Sequence, residues 1–298
     1  MKKTIALIAA SLAFAVSAAP VGIASGQKTG TNWPMAEDIA KVCSTTNSPI
    51  NNVISDGSLD NIGKIYSDKT VQYGIIQVDA LEFMRGQDPK MMDRIQMVFP
   101  FFSVEMHLVA KDGSRISSLA DLAGKRVVEG PEGSGTWVSV QVIKALTKIK
   151  WQSINASQQD GLNMVLNGQA DAEFIVAGAP VGMLKKATGI KLVPVRHDTL
   201  DGFALYTKTM LPSGMYPAVK GTTATYKVDN VLATYAFKNQ YQAEIGELVT
   251  CLTRNIDRLQ SGQDFHPKWR DVDPTDITRI QWQSHPAAVN AIKRATKK

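Results

Sequence analysis

Short apolar runs alternate along this chain with segments whose apolar positions recur every three or four residues. Val21 to Ala24 is the first such run after the N-terminal segment. A loop containing Gly26 and Gly30 follows it. Then Met35, Ile39, Ala40, Val42 and Cys43 lie at helical spacing behind Trp33-Pro34. Proline suits a first helical turn, because the N–H it lacks has no partner there. The same order returns. Val53-Ile54-Ser55 reads as a strand, Asp56-Gly57-Ser58 as a turn, and Leu59, Ile62, Ile65 and Tyr66 as one helical face. Tyr73 to Gln77 is the next strand, and Asp79 is placed to cap the helix after it, with Glu82 as its capping-box partner. Short strands alternating with helices predict a parallel sheet.

From Ile95 to Ala110 the chain is apolar, with Pro100 inside the run. A central strand tolerates proline poorly. A break is therefore expected near Pro100, then a strand through Val104, Met106 and Leu108 that leaves the first lobe. Ser118 to Asp121 is a second capping box, opening a short helix that Gly124 ends. Arg126 to Glu129 reads as a strand and Gly130 to Gly135 as a Gly-rich loop. Val138, Val142, Ile143, Leu146 and Ile149 form a helical face. A helix over Leu162–Leu166 and a strand over Ala172–Ala177 follow, and Gly178-Ala179-Pro180 breaks into another helix. Ile190 to Val195 is a further strand, and Pro212, Ser213, Gly214 and Pro217 mark the return crossing. Val228 to Phe237 then reads as a strand of the first lobe, and Glu244 to Leu259 as one helix.

The ends of the chain change how its charge is read. Lys2 and Lys3 precede an apolar run from Ile5 to Val16, and Val16-Ser17-Ala18 offers small residues for cleavage. This is the pattern of a secretory signal peptide over residues 1–18, so the protein is expected in the periplasm. The run falls short of the roughly 20 apolar residues of a bilayer span. What remains of the 298 residues suits two domains. The net charge of +6 owes everything to the ends. Taking Lys2, Lys3, Lys293, Arg294, Lys297 and Lys298 from 33 basic residues leaves 27 against 27 acidic ones. A neutral body offers no basic stripe for nucleic acid. A secreted chain permits a disulfide between Cys43 and Cys251, and two separate buried thiols are equally compatible with the sequence.

Three loops share one context, after a strand and before a helix: residues 26–33, 56–58 and 130–136. Ligands of open α/β sheets sit outside the carboxyl ends of the strands, where free helix N–H groups suit carboxylate or phosphate. Thr29, Thr31, Ser58, Ser134 and Thr136 add hydroxyls, and such residues are also ordinary caps. Signals for catalysis are weak. Gly133-Ser134-Gly135-Thr136 lacks the lysine of a P-loop and the spacing of a nucleophile elbow. His107, His197, His266 and His285 have no metal-ligand spacing, and no cofactor is expected. Glu105 and His107 share a strand face and are the one candidate acid–base pair; Asp171 and Glu173 share another and read as solvated.

At these loops the chain resembles the TAXI-type solute-binding subunits of tripartite ATP-independent periplasmic (TRAP) transporters. The resemblance runs through Gly30-Thr31-Asn32-Trp33-Pro34-Met35, Ser55-Asp56-Gly57-Ser58-Leu59-Asp60-Asn61-Ile62 and Gln77-Val78-Asp79. It continues through Glu105 to Val109, Ser118 to Val127, Gly133 to Thr136, Gly168 to Ala172, Gly178-Ala179-Pro180 and His285-Pro286. It implies an α/β, type II periplasmic-binding fold whose two lobes each hold a mostly parallel sheet flanked by helices. Lobe 1 is expected from 19–110 plus 208–298 and lobe 2 from 111–207, hinged near 110–113 and 207–216. The resemblance further implies a monomer that captures a small carboxylate and delivers it to a TRAP-type permease, without turnover. Gly30, Thr31, Trp33, Ser58, Gln77, Ser134, Gly135, Thr136 and Gly178 are the residues expected at the ligand. The chain departs from the family in having Asn32-Trp33 where a tyrosine is usual and Ala36 where a glycine is usual. No arginine stands in the loops to clamp a carboxylate. A binding protein serving a sensor, and an enzyme on the same fold, are the rival readings.

Overall fold

The computed structural model describes residues 20–46, 48–217, 219–236 and 242–297. The leader expected over 1–18 lies outside the described residues. The chain opens β1 (Val21–Gly26), α1 (Asn32–Cys43), β2 (Ile50–Ile54), α2 (Ser58–Ser67), β3 (Tyr73–Gln77) and α3 (Val78–Gln87). The short α4 (Pro89–Met92) leads into the long β4 (Ile95–Lys111). The middle segment holds β5 (Arg126–Val128), α5 (Gly135–Thr147), β6 (Gln152–Ile154), α6 (Gln158–Leu166), β7 (Ala172–Ala177), β8 (Ile190–Val193), α7 (Asp198–Asp201) and β9 (Thr207–Leu211). The long β10 (Thr223–Tyr235) returns, and α8 (Gln242–Arg254), α9 (Ile256–Ser261) and α10 (Pro286–Thr296) close the chain. No helix among the described residues is long and apolar enough to cross a membrane.

Among the described residues the strands form one sheet in the order β2-β1-β3-β10-β4-β7-β5-β6, with β8 beside β4 and β9 beside β10. The outer strands are parallel: β2-β1-β3 on one side and β7-β5-β6 on the other. The antiparallel pair β4 and β10 runs between them and belongs to both halves. Asn230 to Ala233 of β10 pair with β3, while Glu105 to Ala110 of β4 pair with β7. The changeover falls near Ser103, opposite Asp229. Residues 105–110, expected in the first lobe, thus lie alongside the strands of the middle segment. The central strands are buried on both faces, which is why they read as unbroken apolar runs.

Several expectations give way here. The break at Pro100 is absent, and β4 continues through it. Pro100 lies opposite Val231, where the β4–β10 register slips between Asp229 and Val231. That bulge accommodates the N–H that proline cannot donate. The expected single helix over 244–259 divides at Asn255, whose Nδ2 donates to the Cys251 carbonyl at 2.9 Å. No helix follows Gly178-Ala179-Pro180, because side chains take the backbone N–H groups there: Ala179 donates to Glu105 Oε2 and Val181 to the Tyr216 hydroxyl. Ser118 and Asp121 do form a reciprocal capping box, on a 3₁₀ turn. Cys43 and Cys251 are bonded to each other, tying the end of α1 to α8 across 208 residues of sequence.

The buried acids also differ from expectation. Asp171 is paired with Arg126, but Glu173 is fully buried and neither of its oxygens has a hydrogen-bond partner. Gly161 of α6 packs on its carboxyl so closely that a Cβ there would sit 2.3 Å from Oε1. Burial pushes this carboxyl up to about 9, so the folded chain carries it protonated at neutral pH. Between the ordinary glutamate range and about 9 only the folded state holds that proton. Raising the pH through this window therefore costs the fold up to about 1.4 kcal/mol per pH unit. Glu173→Gln removes the proton requirement and keeps the shape. Denaturant unfolding at pH 5.5, 7 and 8.5 should show the variant gaining on the parent as pH rises; parallel pH dependences would refute the assignment.

Candidate functional site

The carboxyl ends of β1, β3 and β7 meet the N-termini of α1, α2, α5 and α6 around a cavity of ≈ 270 Å³. Each contributes cap or first-turn residues: Thr31 and Asn32 from α1, Gly57 and Ser58 from α2, Ser134 to Thr136 from α5, Ser157 to Gln159 from α6. First-turn N–H groups have no carbonyl of their own helix to bond, so the wall is rich in donors and carries the positive ends of four helix dipoles. Asp56 is the one charged residue in this lining, and no lysine or arginine stands in it.

The hydroxyls are set in a particular sense. Ser58 Oγ accepts from Gln77 N at 3.3 Å, Ser134 Oγ from Trp137 N at 3.1 Å, and Thr136 Oγ1 from Val176 N at 3.0 Å. Each oxygen is held by a backbone donor, which leaves its own proton free to donate. Thr31 differs: its Oγ1 donates to the Gly178 carbonyl at 3.2 Å, so it offers a ligand only lone pairs. Gly135 permits the closest approach in the site, since a Cβ there would fall 1.7 Å from Gln77 Oε1. Gly57, at φ 118°, lies against Ser134 in a backbone region that disfavours side chains.

Both halves of the sheet meet here directly. Leu59 N donates to the Gly133 carbonyl at 3.0 Å, and Gln77 Nε2 reaches the Gly135 carbonyl at 3.4 Å. Of the residues singled out in the sequence, Gly30, Thr31, Ser58, Gln77, Ser134, Gly135 and Thr136 line the cavity. Gly178 stands behind Thr31 and is not in the lining. Trp33 is outside it too. Its ring is half-buried with Lys28 Nζ 5.3 Å from its centroid, because one step along a helix from Asn32 turns a side chain by about 100°. Sequence reasoning missed Ser25, Asn230 and the start of α6. Asn230 lies on β10 at the changeover, where no motif marks it, and its Nδ2 donates to Asn32 Oδ1 at 3.1 Å.

The candidate acid–base pair is dispersed. Glu105 Oε1 is taken by the buried Lys268 ammonium at 2.7 Å, and its Oε2 by Ala179 N. His107 is wholly buried; its Nδ1 meets the Glu105 and Ile175 carbonyls, and its Nε2 accepts from the Tyr216 hydroxyl. Burial pushes this imidazole down to about 4, so it stays neutral. The other histidines cap helical turns: Nδ1 of His197, His266 and His285 accepts from the N–H two residues on. Asp79 does not cap α3 as expected; that helix begins at Val78, and the Asp79 carboxylate points into the interior. Among the described residues no cluster of three or more His, Cys, Asp or Glu is placed to hold a metal.

The sequence profile of the NMT1-like family matches residues 23–291. The chain belongs to the NMT1-like family. Solved structures of low identity share the fold of this NMT1-like chain. One is the amino acid ABC transporter substrate-binding protein AbpA from Streptococcus pneumoniae bound to L-arginine. It shares 12% identity over 94% of this chain and 97% of its own, with a TM-score of 0.52. Another is an R. palustris protein solved with adipate, at 15% identity over 92% and 94%, with a TM-score of 0.53. At such identities the likeness is one of fold, and it agrees with the α/β, two-lobed architecture expected from the sequence.

Proposed function

We propose that this chain is a periplasmic solute-binding protein that closes its lobes on one small organic carboxylate and passes it to a membrane permease. The observation that carries the reading is the cavity between the sheet halves, where four helix N-termini and three free hydroxyl protons converge without a cationic side chain. Such a wall solvates one compact anion through dipoles. Its volume, at the lower edge of small-molecule sites, favours a solute of few heavy atoms. The neighbours solved with L-arginine and with adipate are bound to small carboxylates, which supports the same class. The motif resemblance to TAXI subunits supports a TRAP-type permease as the recipient. A gene for a large multi-spanning permease beside this one would agree with that; a receptor kinase there would assign the protein to sensing. Binding without turnover fits a site whose lining holds no nucleophile–base pair.

A thermal-shift screen of refolded, ligand-stripped protein against small carboxylates, amino acids and apolar acids tests the reading. A solute at 100 times its Kd stabilises by about 2.7 kcal/mol, or roughly 5 °C or more for a chain of this size. A hit among small carboxylates is expected. Hits confined to cationic or neutral solutes would overturn the anion assignment.

A further inference from the structure

Gln77 faces the cavity, but its amide is held from behind. Nε2 lies 3.3 Å from Asp79 Oδ1 and 3.1 Å from Ser139 Oγ. Asp79 is 1% exposed and does not line the cavity. Its Oδ2 accepts from Ser139 Oγ at 2.6 Å and from the Tyr206 hydroxyl at 3.0 Å. Asp79 and Gln77 belong to the β3–α3 corner, on the lobe that carries β1 to β3. Ser139 on α5 and Tyr206 before β9 belong to the other lobe. No charged side chain pairs with Asp79 among the described residues, so its bonds come from two hydroxyls, an amide and the backbone of its own helix. Burial pushes its carboxyl up, and the bonds from Ser139, Tyr206 and Gln77 pull it back. A carboxylate buried in this way is satisfied only while the opposite lobe supplies its donors.

We propose that Asp79 is a positioning residue: with Ser139 and Tyr206 it latches the two lobes together, and through Gln77 Nε2 it orients the amide that meets the solute. Its effect on affinity rests on the solute-binding reading; its effect on closure does not. Tyr206→Phe removes one donor and keeps the ring contacts with Phe203 and Tyr226. Ser139→Ala removes the other. Because these bonds bridge the two lobes, losing one should favour the open form and raise koff about tenfold.

The test combines small-angle scattering of ligand-free parent, Tyr206→Phe and Ser139→Ala with stopped-flow binding of the solute found by thermal shift. Asp79→Asn, which keeps the volume but loses the charge, serves as the second variant if either of the others fails to fold by circular dichroism. The expected result is a larger radius of gyration in every folded variant and a faster koff. Unchanged radii overturn the latch, and if the solute still binds, the solute-binding reading survives. Larger radii in variants of a protein that binds no solute would leave the latch standing and overturn the function instead. A change in kon with koff unchanged would also overturn the latch.

Discussion

Replacing Cys43 and Cys251 by serine should lower unfolding free energy by about 5 kcal/mol, the loop-entropy value for a cross-link closing 208 residues. The bond joins the last turn of α1 to α8, so it ties the opening strand–helix unit to the closing helices. No other covalent link restrains the chain between them among the described residues. In the unfolded state the serine variant gains the freedom of that whole loop, while the folded state loses only a small buried contact. For a chain of this size the change should appear as a fall in Tm of roughly 10 °C. Calorimetry of parent and variant checks it. A loss below about 1 kcal/mol would mean that the unfolded chain already holds these regions together. The bond is remote from the cavity lining, and solute affinity at low temperature should hardly move.

Ser134→Ala combined with Thr136→Ala should weaken solute binding by about 100-fold. Each hydroxyl has its oxygen committed to a backbone N–H and its proton free for the ligand. A hydrogen bond to a charged group is worth about 1.5–3 kcal/mol, so two lost donors remove about 3 kcal/mol or more. The same changes carry a structural cost. Ser134 caps α5, and Thr136 satisfies the buried Val176 N–H. Caps are worth about 1 kcal/mol, so the variant will also be less stable. Affinity must therefore be measured where it is fully folded. Thr136→Ser keeps both bonds of the hydroxyl and should bind like the parent.

The strand–loop–helix rhythm was legible because buried strands and amphipathic helices leave different periods. That rhythm marked the three loops and the family resemblance added Gln77; seven of the nine candidate ligand residues line one cavity, since caps at the carboxyl ends of strands converge in such sheets. The rest depended on pairing across the fold. Pro100 reads as a break until β10 is seen to slip its register opposite it. Asp79 has the spacing of a cap, yet Ser139 and Tyr206, 60 and 127 residues away, draw its carboxylate inward. Glu173 looks solvated by alternation until α6, through Gly161, covers that face. Asn230 was invisible because a lone asparagine in a strand announces nothing, and only the crossing of β10 brings it to the cleft.

The measurement that bears most directly on the central claim is calorimetric titration of the thermal-shift panel into stripped parent protein and into the Ser134→Ala, Thr136→Ala variant. Solute binding at the helix N-termini predicts one small carboxylate at one site per chain, with affinity falling about 100-fold in the variant. A carboxylate that binds both proteins equally, or a panel in which only non-anionic solutes bind, would contradict it.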